Sequence, residues 1–97
     1  MSTDEKTRVR VPDRVLTQKL DDETVLLDLE SERYFTLDDV GSRMWHALAE
    51  TGSVEDACEV LLAEYDVESS RLESDLRTLV SQLRREGLVE IRHEQAR

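Results

Sequence analysis

Between Val9 and Leu37 the chain reads as short β-like segments separated by polar turns, and from Asp38 it changes to a helical period. Residues 1–8 are polar and without periodicity, which predicts a disordered arm. Val9 and Val11 open the ordered part, and Pro12-Asp13 interrupts it. Val15-Leu16-Thr17-Gln18-Lys19-Leu20 reads as a strand, closed by a charged turn at Asp21-Asp22-Glu23. In residues 24–29, Val25, Leu27 and Leu29 recur at period two, predicting a half-buried strand with those three on its inner face. Glu30-Ser31-Glu32 is a second turn, and Arg33-Tyr34-Phe35-Thr36-Leu37 is an aromatic, β-favouring third strand. Turns this short join antiparallel neighbours, so the predicted sheet is a three-stranded meander.

From Asp38 onward the apolar spacing is that of helices. Asp38 or Asp39 caps the first, whose inner side carries Val40, Met44, Trp45 and Leu48, and Gly52 ends it. Ser53 opens a second helix with Ala57, Val60, Leu61 and Tyr65 facing inward. Ser70-Arg71-Leu72-Glu73 has capping-box spacing for a third, with a stripe of Leu72, Leu76, Leu79, Val80 and Leu83. Arg84 and Arg85 suit the negative end of that helix, Gly87 stops it, and Leu88-Val89-Glu90-Ile91 is a final strand or a packed tail. Three antiparallel strands followed by three helices is an α+β, winged-helix-like fold. Residues 9–92 form one domain, and 93–97 are a polar tail.

Composition narrows the function more by exclusion than by assignment. A net charge of −10 repels phosphate backbones, so nucleic acid is not the expected partner. No apolar run is long enough to cross a bilayer, and the N-terminus has no signal-like apolar stretch, so a cytoplasmic location is expected, with no membrane partner. Cys58 is the only cysteine and sits in a helical pattern, which favours packing over catalysis. His46 and His93 are the only histidines, and with Cys58 they make no recognisable metal spacing. The chain has no glycine-rich phosphate loop and no nucleophile elbow. These features predict a binding protein that is not an enzyme, with no metal and no cofactor.

The sheet edge is where binding is expected. A meander exposes unpaired backbone groups on its outer strands, and neither lysine nor proline defends residues 34–37. Arg33, Tyr34, Phe35, Thr36 and Leu37 are therefore the first candidates for contact with an extended peptide added as a further strand. Either Arg33, Phe35 and Leu37 or Tyr34 and Thr36 turn their backbone groups to the peptide.

These residues also resemble a known family, the PqqD-like leader-binding domains or RiPP recognition elements, over about Val15 to Ile91. The resemblance rests on Arg33-Tyr34-Phe35-Thr36-Leu37, on Val40-Gly41 with Trp45 four residues beyond the glycine, on Ser53-Val54-Glu55-Asp56-Ala57, and on Glu86-Gly87-Leu88-Val89. Glu32 stands where many members have glycine, and Asp38 where many have asparagine. The pattern is most similar to the stand-alone proteins of lasso-peptide pathways. It implies a precursor leader peptide bound antiparallel to the third strand, in a cleft walled by the third helix, which makes Leu72, Asp75, Leu76 and Leu79 the second candidates. It also implies a partner, a separate cysteine protease acting as leader peptidase. A PqqD-type chaperone for a radical enzyme and a winged-helix regulator are the alternatives. Gly41 and Trp45 are expected to be structural, because glycine inside a helix costs about 1 kcal/mol against alanine and implies close packing.

Overall fold

A computed structural model describes residues 5–95. The elements in chain order are β1 (Glu5–Arg10), β2 (Val15–Leu20), β3 (Glu23–Asp28), β4 (Tyr34–Leu37), α1 (Asp39–Thr51), α2 (Val54–Glu64), α3 (Ser69–Arg85) and β5 (Glu90–Gln95). The expected meander is present as a sheet of order β2-β3-β4, followed by the three helices.

A second sheet was not expected. β1 pairs antiparallel with β5, Val9 opposite Ile91, so residues 5–8 and 93–95 belong to a two-stranded ribbon where the polar sequence pointed to an arm and a tail. The ribbon is tied to α2 by polar contacts that a hydrophobicity reading does not register. Thr7 N–H donates to Glu55 Oε1 at 2.8 Å, and Lys6 Nζ lies 3.2 Å from Asp56 Oδ2. Lys6 foremost holds the Asp56 carboxyl below its ordinary range, against the opposing effect of burial. Residues 1–4, 96 and 97 lie outside the described residues.

The inner face of the meander packs on the helices through Val15, Leu26 and Leu37, against a core centred on Trp45, Leu48, Leu61, Leu76 and Leu83. β3 shows the opposite phase to the one expected. Thr24, Leu26 and Asp28 are the buried set, whereas Val25 and Leu27 are half-buried on the outer face and Leu29 is exposed. Two polar residues can take inner positions here because they have partners there. Thr24 Oγ1 lies 3.5 Å from His46 Nε2, and Asp28 anchors the following turn.

The helix ends follow their caps. Asp38 Oδ1 accepts the Gly41 N–H at 2.7 Å, Ser53 Oγ accepts the Asp56 N–H at 2.9 Å, and Gly52 closes α1 at φ 74°. A Cβ at Gly41 would stand 3.2 Å from Asp38 Oδ1 and 3.4 Å from the Leu37 side chain, a tight fit that these side chains could take only by shifting a few tenths of an ångström. The capping box at Ser70 is not used. α3 starts at Ser69 with Glu68 at the cap position and no side-chain bond there. Glu32 occupies φ 62°, the left-handed conformation that glycine would take without the roughly 1 kcal/mol penalty of a side chain.

Candidate functional site

β4 is an edge of the sheet, and its hydrogen-bonding phase can be read from the turn before it. Asp28 N–H donates to Arg33 O at 2.9 Å, across the register in which Leu26 faces Phe35 and Thr24 faces Leu37. Backbone direction alternates along a strand, so Arg33, Phe35 and Leu37 turn their N–H and C=O groups toward β3. Those of Tyr34 and Thr36 point to the open edge. Their side chains lie on the outer face, where both are exposed, while Phe35 is half-buried and Leu37 buried on the inner face.

α3 is linked near one end to the residue before β4 and near the other to the first turn of α1. At one end Arg33 Nη2 donates to Glu86 Oε1 at 2.9 Å. At the other, Val40 in the first turn of α1 shares an apolar cavity of about 220 Å³ with Met44, Tyr65, Val67, Leu72 and Asp75. Among the described residues no hydrogen bond joins β4 itself to α3, and the gap between the open edge and the helix is the candidate groove. Leu72, Asp75, Leu79, Gln82 and Glu86 fall at alternating three- and four-residue steps on one stripe of α3, the candidate wall on that side.

The expected wall residues therefore differ in what they offer. Asp75 is exposed at the cavity, Leu72 and Leu79 show only their edges at 6% and 8%, and Leu76 is fully buried in the core beneath. Val40, Tyr65 and Val67, exposed by 57%, 45% and 48%, carry the open apolar surface at this end of the groove. Helical periodicity assigned Val40 and Tyr65 to the core. Val40 instead overhangs in the first turn of its helix, and Tyr65 is the residue that ends α2. Arg43, also at the cavity, donates from Nε to Glu64 Oε1 at 2.8 Å. That pair raises the affinity of the arginine for its proton and lowers that of the carboxylate, so both stay charged beside the apolar surface.

The outer face of the sheet is apolar as well. Leu16, Leu27 and Tyr34 lie side by side across the three strands, with Val25 and Thr36 in the next outer-face row and Leu20 beyond. Leu16, Leu20 and Tyr34 are exposed by 49%, 51% and 72%. Scattered apolar side chains on a surface are ordinary, but these are neighbours by register and form one patch.

Groups with potential chemistry are placed apart or engaged elsewhere. Cys58 is buried in α2, and burial pushes its thiol up, away from the thiolate that nucleophilic attack needs. Among the described residues no cluster of three or more histidine, cysteine, aspartate or glutamate side chains is arranged to hold a metal ion. Of the arginines of α3, Arg77 is bound to Glu55 and Glu73, both at 3.0 Å, and Arg71 lines the apolar cavity on another face of the helix. No helix among the described residues is long and apolar enough to cross a membrane.

The family model described as coenzyme PQQ synthesis protein D (PqqD) matches residues 23–89, which span the meander beyond β2, the groove and all three helices. The chain belongs to the PqqD family. Two solved structures resemble this PqqD-family chain closely. The structure of TbiB1 in complex with the TbiA(beta) leader peptide is 40% identical, with a TM-score of 0.78 over 84% of this chain and 94% of that one. A lasso peptide synthetase B1 complexed with its leader peptide is 29% identical, with a TM-score of 0.75 over 86% and 98%. The comparison with curated proteins gives no match. The family expected from Arg33-Tyr34-Phe35-Thr36-Leu37 and Gly41/Trp45 is thus the one found.

Proposed function

We propose that this PqqD-family chain is a non-catalytic adaptor that binds the leader of a ribosomally made precursor peptide and delivers it to a separate processing enzyme, the leader protease of a lasso-peptide pathway, in the cytoplasm. The observation that carries the reading is the groove. An unpaired strand edge with two outward-facing residues lies beside a helix, with an apolar cavity at one end, in a fold shared with two leader-bound proteins. The leader adds to β4 as a fourth strand, takes its hydrogen bonds from Tyr34 and Thr36, and seats an apolar side chain against Val40, Tyr65 and Val67.

The energetics suit such a ligand. Four backbone hydrogen bonds at about 1 kcal/mol each and two apolar anchors at about 2 kcal/mol each give roughly 8 kcal/mol before the cost of ordering the peptide. A flexible leader then binds in the tens of micromolar or more weakly, and one extended beforehand approaches about micromolar. Delivery draws support from the apolar outer face of the sheet, which remains open to a second protein while the edge is occupied. The family model's link to PQQ synthesis favours a PqqD-type chaperone as a second reading, with the same binding mode and another client.

The TbiA(beta) leader peptide is the probe for this reading. Calorimetric titration is expected to show saturable one-to-one binding, and mass spectrometry after overnight incubation is expected to recover the peptide intact. Absence of binding contradicts the peptide-binding half of the reading, and turnover by the pure chain contradicts the adaptor half.

A further inference from the structure

We infer that Arg14 and Asp28, which lie outside the groove, are positioning residues that fix the distance between its two walls. The inference rests on the peptide-binding reading above and identifies what holds that site in shape.

The wall formed by β4 is launched from Asp28. The Asp28 carboxylate accepts the Glu30 N–H at 3.0 Å, its carbonyl accepts the Glu32 N–H at 2.8 Å, and its own N–H donates to Arg33 O at 2.9 Å. Every bend between β3 and β4 is thus referred to one buried residue. The N–H of Glu30 foremost, with lesser help from Ser31 and Arg14, holds the Asp28 carboxyl below its usual range despite burial. It is a permanent charge at neutral pH.

The wall formed by α3 ends at Gly87, whose carbonyl accepts Arg14 Nη2 at 2.9 Å. The same guanidinium places its buried Nε 3.4 Å from Asp28 Oδ1, an ion pair without hydrogen-bond geometry. Arg14 therefore joins the turn that starts β4 to the carbonyl of Gly87 just beyond α3, and its own carbonyl accepts the Leu29 N–H at 2.9 Å, fixing it to the same turn. A guanidinium can address two partners in different directions, whereas the single nitrogen of lysine cannot hold both at these distances. The direct bridge between the walls, Arg33 to Glu86, involves an arginine exposed by 72% and is screened by solvent and salt. The Arg14–Asp28–Gly87 connection is the better sheltered of the two, with the Asp28 side chain exposed by 9% and that of Arg14 by 37%.

Arg14 precedes β2, the strand farthest from the peptide edge, so it touches no bound peptide and acts through the turn and α3. Without it the C-terminal end of α3 is still packed by Leu83, Leu88 and Val89, and the domain folds. What is lost is the fixed width of the groove, and a peptide that touches both walls binds less well.

The test uses Arg14→Met and Arg14→Lys, with nitroxide labels at Glu30→Cys and Ser81→Cys in a Cys58→Ala background. Pulsed electron resonance reads the wall separation without peptide. Unlabelled proteins are titrated with the TbiA(beta) leader peptide. The expected result for Arg14→Met is a longer or broader distance distribution and about tenfold weaker binding, the loss typical of a charged hydrogen bond, with a cooperative melt retained. Arg14→Lys is expected to fall between, and it replaces the methionine variant if that one fails to fold. Binding unchanged in a folded variant overturns the inference, as does weaker binding at an unchanged distance. If the parent protein binds no peptide, the reading of the groove fails on its own, and an unchanged distance in the labelled variants still overturns the positioning role.

Discussion

Proline at Tyr34 or Thr36 is expected to leave the domain folded and abolish peptide binding, while proline at Phe35 is expected to unfold it. The split follows from the phase fixed by the Asp28–Arg33 hydrogen bond, which turns the Phe35 N–H toward β3 and those of Tyr34 and Thr36 toward the open edge. Proline removes an N–H and places ring carbons where a partner strand would approach, so it is tolerated only where that N–H points off the sheet. At Phe35 it also removes a half-buried ring that packs on the core, for a combined loss of several kcal/mol in a domain whose whole stability is about 5–15 kcal/mol. At Tyr34 or Thr36 the stability cost is small. One lost hydrogen bond and the steric block together weaken binding at least thirtyfold, or about 2 kcal/mol. Alanine at each position separates side-chain loss from backbone loss, and Thr36→Ala is expected to bind nearly normally. Thermal melts and calorimetric titration of the six variants give the answer. Folded Tyr34→Pro and Thr36→Pro proteins that bind the leader as the parent does place the peptide elsewhere.

The second large effect concerns delivery. A leader held by the adaptor, with the adaptor held by the protease, raises the local concentration of the cleavage site to the millimolar range. At micromolar precursor this is expected to speed cleavage by about a hundredfold, and a precursor stripped of its leader is expected to gain nothing. Charging the outer face by Leu16→Glu is expected to keep leader affinity, because Leu16 lies on β2, away from the peptide edge, and to remove most of the acceleration. The readout is the initial rate of precursor cleavage by a lasso-pathway leader protease, with and without the chain. Equal acceleration of full and leaderless substrates means that the chain acts on the enzyme alone, and full acceleration by Leu16→Glu removes the outer face from the account.

Much of this architecture was legible in the sequence because local chemistry and global fold agree. The period changes from two to helical near Asp38, the residue that caps α1, and Gly52 and Gly87 stand where chain reversal requires a left-handed residue. The phase of β3 was not legible, because Val25, Leu26 and Leu27 are consecutive and apolar on both faces. Only the partners of Thr24 and Asp28 decide which face turns inward, and they come from α1 and from the residues around Arg14. The β1–β5 ribbon escaped notice for a related reason. Its strands lie at opposite ends of the chain and are held by Lys6, Thr7, Glu55 and Asp56, which read as solvated polar residues until they are brought together. At the candidate site, the sequence indicated the edge strand that the structure places at β4. It did not separate the covered leucines of α3 from the exposed Val40, Tyr65 and Val67, since the spacing of apolar residues does not reveal which of them a helix end or a loop leaves uncovered.

The sheet has two edges, and the distinction between them gives the most direct test of strand addition at β4. The backbone groups of Tyr34 and Thr36 face out at one edge. At the other, the Leu29–Arg14 hydrogen bond sets a phase in which those of Thr17 and Lys19 do. Residue-resolved amide hydrogen exchange, measured with and without saturating TbiA(beta) leader peptide, reads all four. The expected result is slowing of Tyr34 and Thr36 by at least tenfold on peptide addition, as protection follows a new backbone hydrogen bond, with Thr17 and Lys19 unchanged. Protection of Thr17 and Lys19 instead, or no change at Tyr34 and Thr36 while the peptide is bound, contradicts the account.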